Sequence, residues 1–260
     1  MSVAPAARGA LPRIDTSWLR VFAVPLAVAL GVAASYGIFQ TLNGSPVDSA
    51  VLNVPFVQSR FIGHVALSFI SFGIVAVVGV PLGVAIAIGG RLTRAFVFLL
   101  ANLGQAVPGI GILVLLYAFL GLGAEPTIIA LVIYGLLPVL RNSVAGVQGV
   151  DPAVIEAARG MGMTRWQALT RVQVPLASAL IFAGLRTTLV LVIGTATLGN
   201  FIGGGGLGDV ISSGINRSDR IVFVGAVMVA VLALIADWAL SLVERAVVPN
   251  RIYSRTGGGT

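Results

Sequence analysis

The sequence predicts an all-α integral membrane protein with about six transmembrane helices. Three observations support this fold class. Hydrophobic residues make up 57% of the 260-residue chain and charged residues only 10%, which is far from the balance of a soluble domain. The apolar residues form runs close to the roughly 20 residues that a helix needs to cross a hydrocarbon core of about 30 Å. Arginines flank these runs, as is typical of segments at a membrane surface.

Six apolar runs are the predicted spans. A charged segment precedes the first run, so a signal peptide is the alternative interpretation. The run is longer than a usual signal and lacks a clean A-x-A cleavage site, which favours a retained helix. Pro81 and Pro108 are expected to kink or break the second and third spans, and the fourth is short unless it extends to Ala145. The predicted spans are residues 21–39, 61–88, 95–120, 127–139, 176–198 and 221–242.

The remaining segments are expected to be tails and loops. Residues 1–20 and 246–260 are predicted to be cytoplasmic tails, and residues 40–60 and 199–220 to be outer loops. Residues 21–60 therefore hold the first span with its outer loop. Residues 61–245 hold the other five spans, interrupted by a polar segment at residues 151–175.

The arginines predict the orientation in the membrane. With the N-terminus inside, the cytoplasmic segments hold most of the arginines and the outer loops hold only a few, which is a positive-inside pattern. This places both termini and residues 151–175 in the cytoplasm, and the protein in the cell (plasma or inner) membrane. The predicted cytoplasmic arginines are Arg8, Arg13, Arg20, Arg91, Arg94, Arg141, Arg159, Arg165, Arg171, Arg245, Arg251 and Arg255, and the outer ones are Arg60, Arg217 and Arg220.

Composition excludes several functions. All 16 basic residues are arginines, and a Walker A loop needs a lysine at the nucleotide phosphates. The chain therefore cannot be a P-loop ATPase by itself, and any ATP-driven mechanism must use a partner subunit. With one histidine, no cysteine and nine scattered carboxylates, neither a metal site nor a hydrolytic centre is expected. Membrane topology explains the net charge of +7 better than nucleic-acid binding does.

Residues 151–175 combine charge, glycine and helix-start signals in an otherwise apolar chain. Asp151 before Pro152 predicts an N-cap and a first helical residue. Gly160 and Gly162 are expected to interrupt that helix, because glycine weakens a helix interior by about 1 kcal/mol relative to alanine. Thr164 and the glutamine at position 167 have the spacing of a capping box and predict a second helix. The first helix is expected to have an apolar side made of Val154, Ile155, Ala157, Ala158 and Met161.

The spacing in this segment matches a known signature. From Glu156 the sequence has E-A-A, three residues, Gly162, nine residues and then V-Q-V-P, which ends at Pro175. It resembles the EAA motif of the membrane subunits of ATP-binding-cassette (ABC) importers, EAA-x3-G-x9-I-x-L-P, with two valines replacing isoleucine and leucine. Over residues 61–245 the chain is similar to the permeases for glycine betaine, choline and carnitine. That similarity is carried by QAVPGIGILVLL, IALVIYGLLPVLRNSVAGVQGVDPAVIEAARGMGMTRWQ and GTATLGNFIGGGGLGDVISSGI.

The resemblance implies a type I ABC importer permease fold with a cytoplasmic coupling helix, which docks into a groove of an ATPase subunit. The implied partners are a cytoplasmic ABC ATPase dimer that binds ATP-Mg, a second permease subunit (identical or paralogous) and an extracytoplasmic substrate-binding protein. This chain itself would bind no cofactor and would form a path through the lipid bilayer. The implied coupling residues are Glu156, Ala157, Ala158, Arg159, Gly162, Met163, Thr164 and Pro175, with Gly162 as the bend and Pro175 as the end of the segment.

Other functions remain open from the sequence. Permeases for other small solutes, such as amino acids, share the EAA loop. A stand-alone secondary transporter would need acidic residues in the spans for a coupling ion, and the predicted spans have almost none. An intramembrane enzyme would need paired catalytic groups, which the predicted spans also lack.

A few polar residues in or near the spans are further candidates. Arg186 and Asp237 fall inside spans, where charges usually have a partner or line water, so they are expected either to form a structural pair or, for Arg186, to face the translocation path. The aromatic rings of Tyr117 and Tyr134 are candidates for the path, with core packing as the alternative. His64 is expected to be an interfacial or packed residue.

The outer glycine-rich stretch formally contains a nucleotide motif. The residues from Gly203 to Gly208 satisfy G-x-G-x-x-G, but a dinucleotide fingerprint also needs a preceding strand. An outer loop near the gate is expected instead. Asp209 and Asp219 would be exposed there and are candidate contacts for the binding protein, with solvated loop charges as the alternative.

Overall fold

The computed structural model describes residues 17–42 and 44–248, and in this part of the chain the folded elements are all helical. The predictions for residues 1–16 and 249–260, which include Arg8, Arg13, Arg251 and Arg255, lie outside the described residues. The helices are α1 (Ser17–Thr41), α2 (Pro46–Val51), α3 (Val54–Ile88), α4 (Arg91–Ala106), α5 (Gly109–Leu120), α6 (Ala124–Gln148), α7 (Pro152–Gly160), α8 (Arg165–Ala168), α9 (Val174–Thr195), α10 (Leu207–Gly214) and α11 (Asp219–Val247). A π-helical turn at Leu169–Gln173 precedes α9 and a 3-10 helix at Ala196–Ile202 follows it.

Five helical segments are long and apolar enough to cross a membrane. They are α1, α3, α6, the continuous run from α8 to the 3-10 helix, and α11. Helices α4 and α5 together form a sixth candidate span that is bent by 96°. The predicted all-α membrane architecture of about six spans is therefore confirmed.

The bend between α4 and α5 has a local cause. Pro108 disfavours helical geometry in the residue before it, and Val107 is accordingly extended, with φ −73° and ψ 130°. Helix α5 begins directly after Pro108, which agrees with the predicted break. Helix α3, in contrast, continues through Pro81 as one helix of 35 residues.

The prediction of a loop at residues 40–60 is wrong, because most of this segment is helical. Helix α2 starts at Pro46, after a capping box between Ser45 and Asp48. Helix α3 starts at Val54, where the side chain of Asn53 accepts a hydrogen bond from the backbone N–H of Phe56 at 2.9 Å. Polar residues and proline suggested a loop here, yet the same residue types are also favoured at helix starts.

Two further boundaries differ from the sequence prediction. Helix α6 spans Ala124–Gln148 and continues through Pro138, so the fourth span is longer than predicted. In the predicted outer loop at residues 199–220, the 3-10 helix and α10 are ordered helical elements. Only the turn between them resembles the expected glycine loop, with φ values of +71°, +78° and +80° at Gly203, Gly205 and Gly206.

Helices α3, α6 and α9 form the centre of the bundle through small residues. A Cβ atom added to Gly83 of α3 would lie 2.6 Å from the Cβ atom of Ser143 in α6. A Cβ atom added to Gly184 of α9 would lie 2.7 Å from the Cβ atom of Asn142. In addition, the Thr188 hydroxyl donates to the Gly135 carbonyl at 2.9 Å. Such close backbone approach and interhelical hydrogen bonding are how helices associate in lipid, where apolar burial drives little.

Candidate functional site

The candidate coupling segment, residues 151–175, folds as a helix, a turn and a second helix. The Asp151 carboxylate accepts a hydrogen bond from the backbone N–H of Ala153 at 2.9 Å, and Pro152 is the first residue of α7. This start is the predicted one. The cap satisfies one of the free N–H groups that every helix start exposes, so α7 has a defined beginning in an otherwise exposed loop.

The turn after α7 is a Schellman motif, a helix ending that is closed by two reversed hydrogen bonds. The backbone N–H of Met163 donates to the carbonyl of Ala158 at 3.3 Å, and that of Gly162 donates to the carbonyl of Arg159 at 2.9 Å. The motif needs a left-handed residue at its C′ position, and Gly162 occupies it with φ +88°. The bend expected at Gly162 is therefore a requirement of the backbone. Gly160 is the last residue of α7 and lies before the bend.

The second helix begins at the predicted capping box. The Thr164 hydroxyl accepts from the Gln167 N–H at 3.2 Å, and the Gln167 side chain accepts from the Thr164 N–H at 2.9 Å. Helix α8 then continues through the π-helical turn into α9 without a break. Pro175, which was expected to end the segment where the next span begins, is the second residue of α9 and lies inside this continuous run.

The π-helical turn accommodates Pro175. Proline has no N–H for an i−4 hydrogen bond, and its ring clashes with the carbonyl four residues earlier. Directly before it, the Val174 N–H donates to the carbonyl of Leu169, five residues back. This wider turn lets the helix pass the proline, so α8 and the α9 span form one mechanical unit.

One side of the segment is anchored in the protein. Ala158, Ala168 and Leu169 are at most 3% exposed. Leu169 belongs to a buried cluster with residues of α3, α6 and α9, among them Ile86 and Leu140. Small and apolar residues at these positions let the helix–turn–helix lie against the membrane bundle.

The opposite side is open to solvent and includes large apolar side chains. Met161 is 74% exposed and Trp166 is 68% exposed, and Glu156 and Ala157 are also exposed. Of the predicted apolar side of α7, Ala158 is therefore buried, whereas Ala157 and Met161 are open to solvent. Isolated exposed apolar residues are ordinary, but an aromatic and a methionine beside a charged helix are typical of a docking surface.

A cleft of about 450 Å³ lies beneath the segment. It runs between α7, α8 and the end of α3, where Ile88 forms part of its wall. Arg159 and Arg165 line its polar part, beside Trp166. The other predicted coupling residues differ in exposure. Arg159 and Thr164 are exposed, whereas Met163 is half-buried.

The structure brings Arg186 and Asp237 together in the membrane bundle. The guanidinium donates from Nε to Oδ1 at 2.8 Å and from a terminal nitrogen to Oδ2 at 2.7 Å. This is the bidentate geometry in which arginine binds carboxylates most strongly. A second carboxylate, Glu244, lies 3.5 Å from the same guanidinium. Arg186 therefore links α9, which continues from the coupling segment, to α11.

Glu244 is a network member that sequence analysis missed. It follows Asp237 by seven residues in α11, so the two carboxylates lie on the same face of the helix. This seven-residue spacing is visible in the sequence and could have indicated Glu244 as a second carboxylate near Arg186. The Arg186 guanidinium thus contacts two carboxylates. This arrangement is compatible with the structural charge pair expected for Arg186.

His64 lies at the end of the bundle where α3, α9 and α10 meet. Its side chain is fully buried. The Leu207 N–H donates to Nδ1 at 3.3 Å, so Nε2 carries the proton and donates to the Ile193 carbonyl at 3.0 Å. The expected packed histidine therefore connects α3, α9 and the start of α10. The glycine turn is held here by specific hydrogen bonds.

The two carboxylates of the predicted outer loop have different surroundings. Asp209 lies 2.8 Å from Arg60 and is half-buried in α10, so the expectation of an exposed loop residue is wrong for it. Asp219 is exposed in the first turn of α11, where a negative charge stabilises the helix dipole. Asp219 thus keeps the predicted exposure.

A further contact at this end of the bundle joins α2 to α11. The Asp48 carboxylate accepts hydrogen bonds from the hydroxyl of Ser218 and from the N–H of Ser45. The hydrogen bond from Ser218 is the largest cause that holds the pKa of Asp48 below its ordinary value. The hydrogen bonds from Ser45 and the nearby charge of Arg220 lower this pKa further. Arg220 itself donates to the Leu42 carbonyl at 2.7 Å, which ties the end of α1 to the start of α11.

The two candidate tyrosines lie near the α4–α5 bend or beyond it. The Tyr134 hydroxyl donates to the carbonyl of Val107, directly before Pro108. The Gln105 side chain donates to the Tyr134 carbonyl at 2.8 Å. Tyr117 is 46% exposed on α5. Tyr134 is therefore part of the contact that fixes the bend, and Tyr117 faces the surroundings of the bundle.

The chain matches a known protein family over most of its length. The profile of the family described as "Binding-protein-dependent transport system inner membrane component" matches residues 79–249. The chain belongs to this family. The matched range includes the coupling segment, the α4–α5 bend and the network around Arg186. The predicted membrane transport subunit, which is not itself an enzyme, is thereby confirmed.

Curated relatives of this permease are similar over nearly their whole length. The carnitine transport permease protein OpuCD of Listeria monocytogenes is 39% identical over 205 residues, which cover 78% of this chain and 92% of the relative. The glycine betaine/carnitine/choline transport system permease protein OpuCD of Bacillus subtilis is 40% identical over 199 residues, covering 76% and 86%. The carnitine transport permease protein OpuCB of Listeria monocytogenes is 46% identical over 189 residues, covering 69% and 86%. The resemblance to osmoprotectant permeases is confirmed.

Solved structures agree with the fold of the permease. The inward-facing MetNI methionine ABC transporter contains a chain that superposes with a TM-score of 0.67 at 23% sequence identity, covering 76% of this chain and all of that chain. At this identity the similarity concerns the fold. The predicted fold of ABC importer permeases is therefore confirmed.

Arg141 of the permease, which the sequence prediction placed in a cytoplasmic segment, lies in a helix that is long enough to cross a membrane. It lies inside α6, seven residues before the last residue of that helix, and its side chain is exposed. The guanidinium donates to the Asn102 side chain of α4. The predicted end of the fourth span at Val139 left Arg141 outside that span, whereas the alternative end at Ala145 includes it.

Proposed function

We propose that this permease forms the membrane path of an ATP-driven importer for a quaternary-amine osmoprotectant such as glycine betaine, choline or carnitine. The observation that carries the proposal is the position of the EAA residues in the fold. They form an exposed helix–turn–helix that is anchored beneath the bundle and continuous with a membrane span. A partner that grips this segment can move the span directly.

Glu156, Ala157 and Met161, together with Trp166, would contact the ATPase subunit. Their exposure provides a surface with an apolar centre and a charged edge. Ala158 is the buried anchor on the opposite side, and Gly162 sets the angle between the two helices. Arg159 and Thr164 complete the polar edge, although the Thr164 hydroxyl is already used as a helix cap.

Force applied to α7 would reach α9 through the continuous run from α8. The buried Leu169 ties that run to the bundle core, and Arg186 ties α9 to α11. A nucleotide shifts a conformational equilibrium only by its differential affinity for the two states. The coupling segment is where ATP binding to the partner, as ATP-Mg on the ATPase dimer, would enter this equilibrium.

The orientation follows from the arginines. We place the coupling segment and both termini in the cytoplasm of a plasma or inner membrane, because arginines are concentrated on that side. The outer end, with His64, α10 and the exposed Asp219, would then face an extracytoplasmic substrate-binding protein. A second permease subunit, identical or paralogous, would complete the path.

The choice of solute rests on the relatives. Those named above are described as permeases for carnitine and for glycine betaine, carnitine and choline. A structural neighbour is a methionine transporter, so an amino acid is the second candidate solute. Identity of 39% to 46% with the osmoprotectant permeases favours the quaternary amines over the amino acid.

Uptake by the assembled importer tests the proposal. The permease would be co-expressed with its neighbouring ATPase and binding-protein genes, purified and placed in liposomes. We expect the ATPase subunit to co-purify, and ATP inside the vesicles to drive uptake of radiolabelled glycine betaine, choline or carnitine, with no uptake of methionine. Transport by the purified chain without an ATPase, or uptake of methionine alone, would contradict the proposal.

A further inference from the structure

A polar seam joins α4 to α6 on the exposed side of the bundle. At one position Gln105 donates to the Tyr134 carbonyl at 2.8 Å. Three residues earlier in α4, the Asn102 side-chain oxygen accepts a hydrogen bond from the Arg141 guanidinium. The second contact stands out because it contains a full charge.

Arg141 lies at membrane depth. Helix α6 has 25 residues, which corresponds to about 37 Å at 1.5 Å per residue. Arg141 lies seven residues before its end, or about 10 Å along the axis. A helix of this length, centred on a core of roughly 30 Å, exceeds it by only a few ångströms at each end, and this placement puts the Arg141 backbone inside the hydrocarbon boundary.

No carboxylate of the described chain neutralises this charge. Within residues 17–42 and 44–248, the ion pairs join Arg60 to Asp209 and Arg186 to its two carboxylates. Arg141 contacts only the neutral amide of Asn102. Charges inside spans usually pair or line a water-filled path, and the described part of the chain supplies no counter-charge to Arg141.

The Arg141–Asn102 contact keeps several donors available. Arginine has five N–H donors in a planar fork, and the bond to Asn102 uses one nitrogen of that fork. The Asn102 NH₂ group adds neutral donors beside it, since it donates to no protein acceptor in the described part of the chain. A planar fork with an adjacent amide matches the two oxygens of a carboxylate.

We propose that Arg141 and Asn102 form a carboxylate-binding site on the translocation path, which selects quaternary amines that carry a carboxylate. The proposal rests on the function proposed above and specifies its solute class. Glycine betaine and carnitine carry a carboxylate, whereas choline carries a hydroxyl group in its place. The site would therefore speed the passage of the first two solutes and give choline no comparable contact.

The position of the side chain favours a solute over a lipid phosphate as the partner. Helical side chains point toward the N-terminus of their helix, which for Arg141 is away from the nearer membrane surface. The bond to Asn102 holds the guanidinium against α4 in this position. Two helices thus direct the charge along the α4–α6 seam.

The test compares solutes in the complete importer, reconstituted in liposomes. The variants are Arg141→Gln, Arg141→Lys and Asn102→Ala. The matched control is Arg91→Gln, which removes an exposed arginine at the start of the same helix α4. Thermal melting of each purified variant shows whether it folds. We expect Arg141→Gln to slow the uptake of glycine betaine and carnitine by about tenfold or more, the loss expected for a hydrogen-bonded charge.

Choline provides the selective readout. Its uptake is expected to change less than about twofold in Arg141→Gln, because choline has no carboxylate for the guanidinium to bind. A twofold change corresponds to much less free energy than a charged hydrogen bond contributes. Arg141→Lys keeps the charge and should retain part of the betaine uptake, and Arg91→Gln should change neither rate. Where the parent imports only carboxylated solutes, a loss in Arg141→Gln without a loss in Arg91→Gln supports the site.

Several results would overturn the inference while leaving the proposed function intact. They are an equal loss for choline and glycine betaine, unchanged uptake in Arg141→Gln, and a parent that imports choline alone. A loss that disappears in liposomes without phosphatidylglycerol would assign Arg141 to a lipid headgroup instead. A parent importer that transports none of the three solutes would overturn the proposed function itself.

Discussion

Gly162 offers a sharp test of the coupling segment, because its backbone conformation disfavours a Cβ atom although the surrounding space would accommodate one. Its φ of +88° is unfavourable for any residue with a Cβ atom, yet nothing lies within 4 Å of where that atom would be. Alanine at this position therefore changes the backbone preference without a steric clash. Gly160, two residues earlier, also has open space around it but has ordinary helical geometry.

The expected magnitude follows from the backbone. A left-handed conformation costs a residue with a Cβ atom roughly 1–2 kcal/mol, so Gly162→Ala should open the turn more often by a factor of about 5–30. Gly160→Ala should have no such cost, since alanine is a better helix former than glycine by up to about 1 kcal/mol. Asparagine tolerates the left-handed region, so Gly162→Asn should be milder than Gly162→Ala although its side chain is larger.

Two measurements can detect this expected order of effects among the variants. Hydrogen exchange of the Met163 amide, which is bonded to the Ala158 carbonyl, reports opening of the turn in the isolated permease. Uptake per ATP hydrolysed in the reconstituted importer reports coupling. We expect faster exchange and poorer coupling in Gly162→Ala, an intermediate effect in Gly162→Asn, and neither effect in Gly160→Ala. Equal behaviour of the two alanine variants, or a stronger effect of asparagine than of alanine, would refute the reasoning.

Three further predictions concern the bundle and its outer end. Arg186→Gln removes the guanidinium that contacts both Asp237 and Glu244 and should lower stability by on the order of 2 kcal/mol; Asp237→Asn, which keeps the contact of Arg186 with Glu244, should lower the melting temperature less, and the reverse order would contradict the network. Gly208→Ala would place a Cβ atom 2.0 Å from the Thr197 carbonyl oxygen and should cost about 3 kcal/mol, whereas Gly194→Ala, with open space, should melt close to the parent. The pKa of Asp48 is lowered on folding, so its contribution to stability is present above its ordinary value of 3.8 and is lost as the pH falls through the lowered pKa; acid melting curves should therefore depend less on pH in Asp48→Asn, and an unchanged pH dependence would contradict this role.

The sequence was most informative where local chemistry determines structure. The Asp151 cap, the Gly162 bend and the capping box at Thr164 are set by a few neighbouring residues, and each was predicted. The spacing of the EAA motif is likewise a property of one short segment. The number of spans followed from hydropathy alone, because the length of an apolar run must match the bilayer.

The errors arose where tertiary contacts decide. Asp209 was expected in an exposed loop, yet Arg60, which is distant in sequence, pairs with it in the fold. Such long-range partners leave no mark at a single position in one sequence.

Helix boundaries were a third source of error. The fourth span was predicted to end at Val139 unless it extended to Ala145, but α6 continues through Pro138 and Arg141 to Gln148. Helix α6 passes through both, because the neighbouring helices α3 and α9 pack against it through small residues. Charge alone could not show this packing.

Site-specific cross-linking tests the central claim that residues 151–175 dock on the ATPase. The chain contains no cysteine, so single-cysteine variants give an unambiguous signal. Ala157→Cys and Met161→Cys lie on the exposed side of the segment, and Leu122→Cys, at 67% exposure, lies between α5 and α6 at the opposite end of the bundle. With a short thiol-reactive photo-cross-linker in the active importer, we expect adducts with the ATPase subunit from positions 157 and 161 and none from 122. An active importer without adducts at 157 and 161, or with equal adducts at 122, would contradict the account.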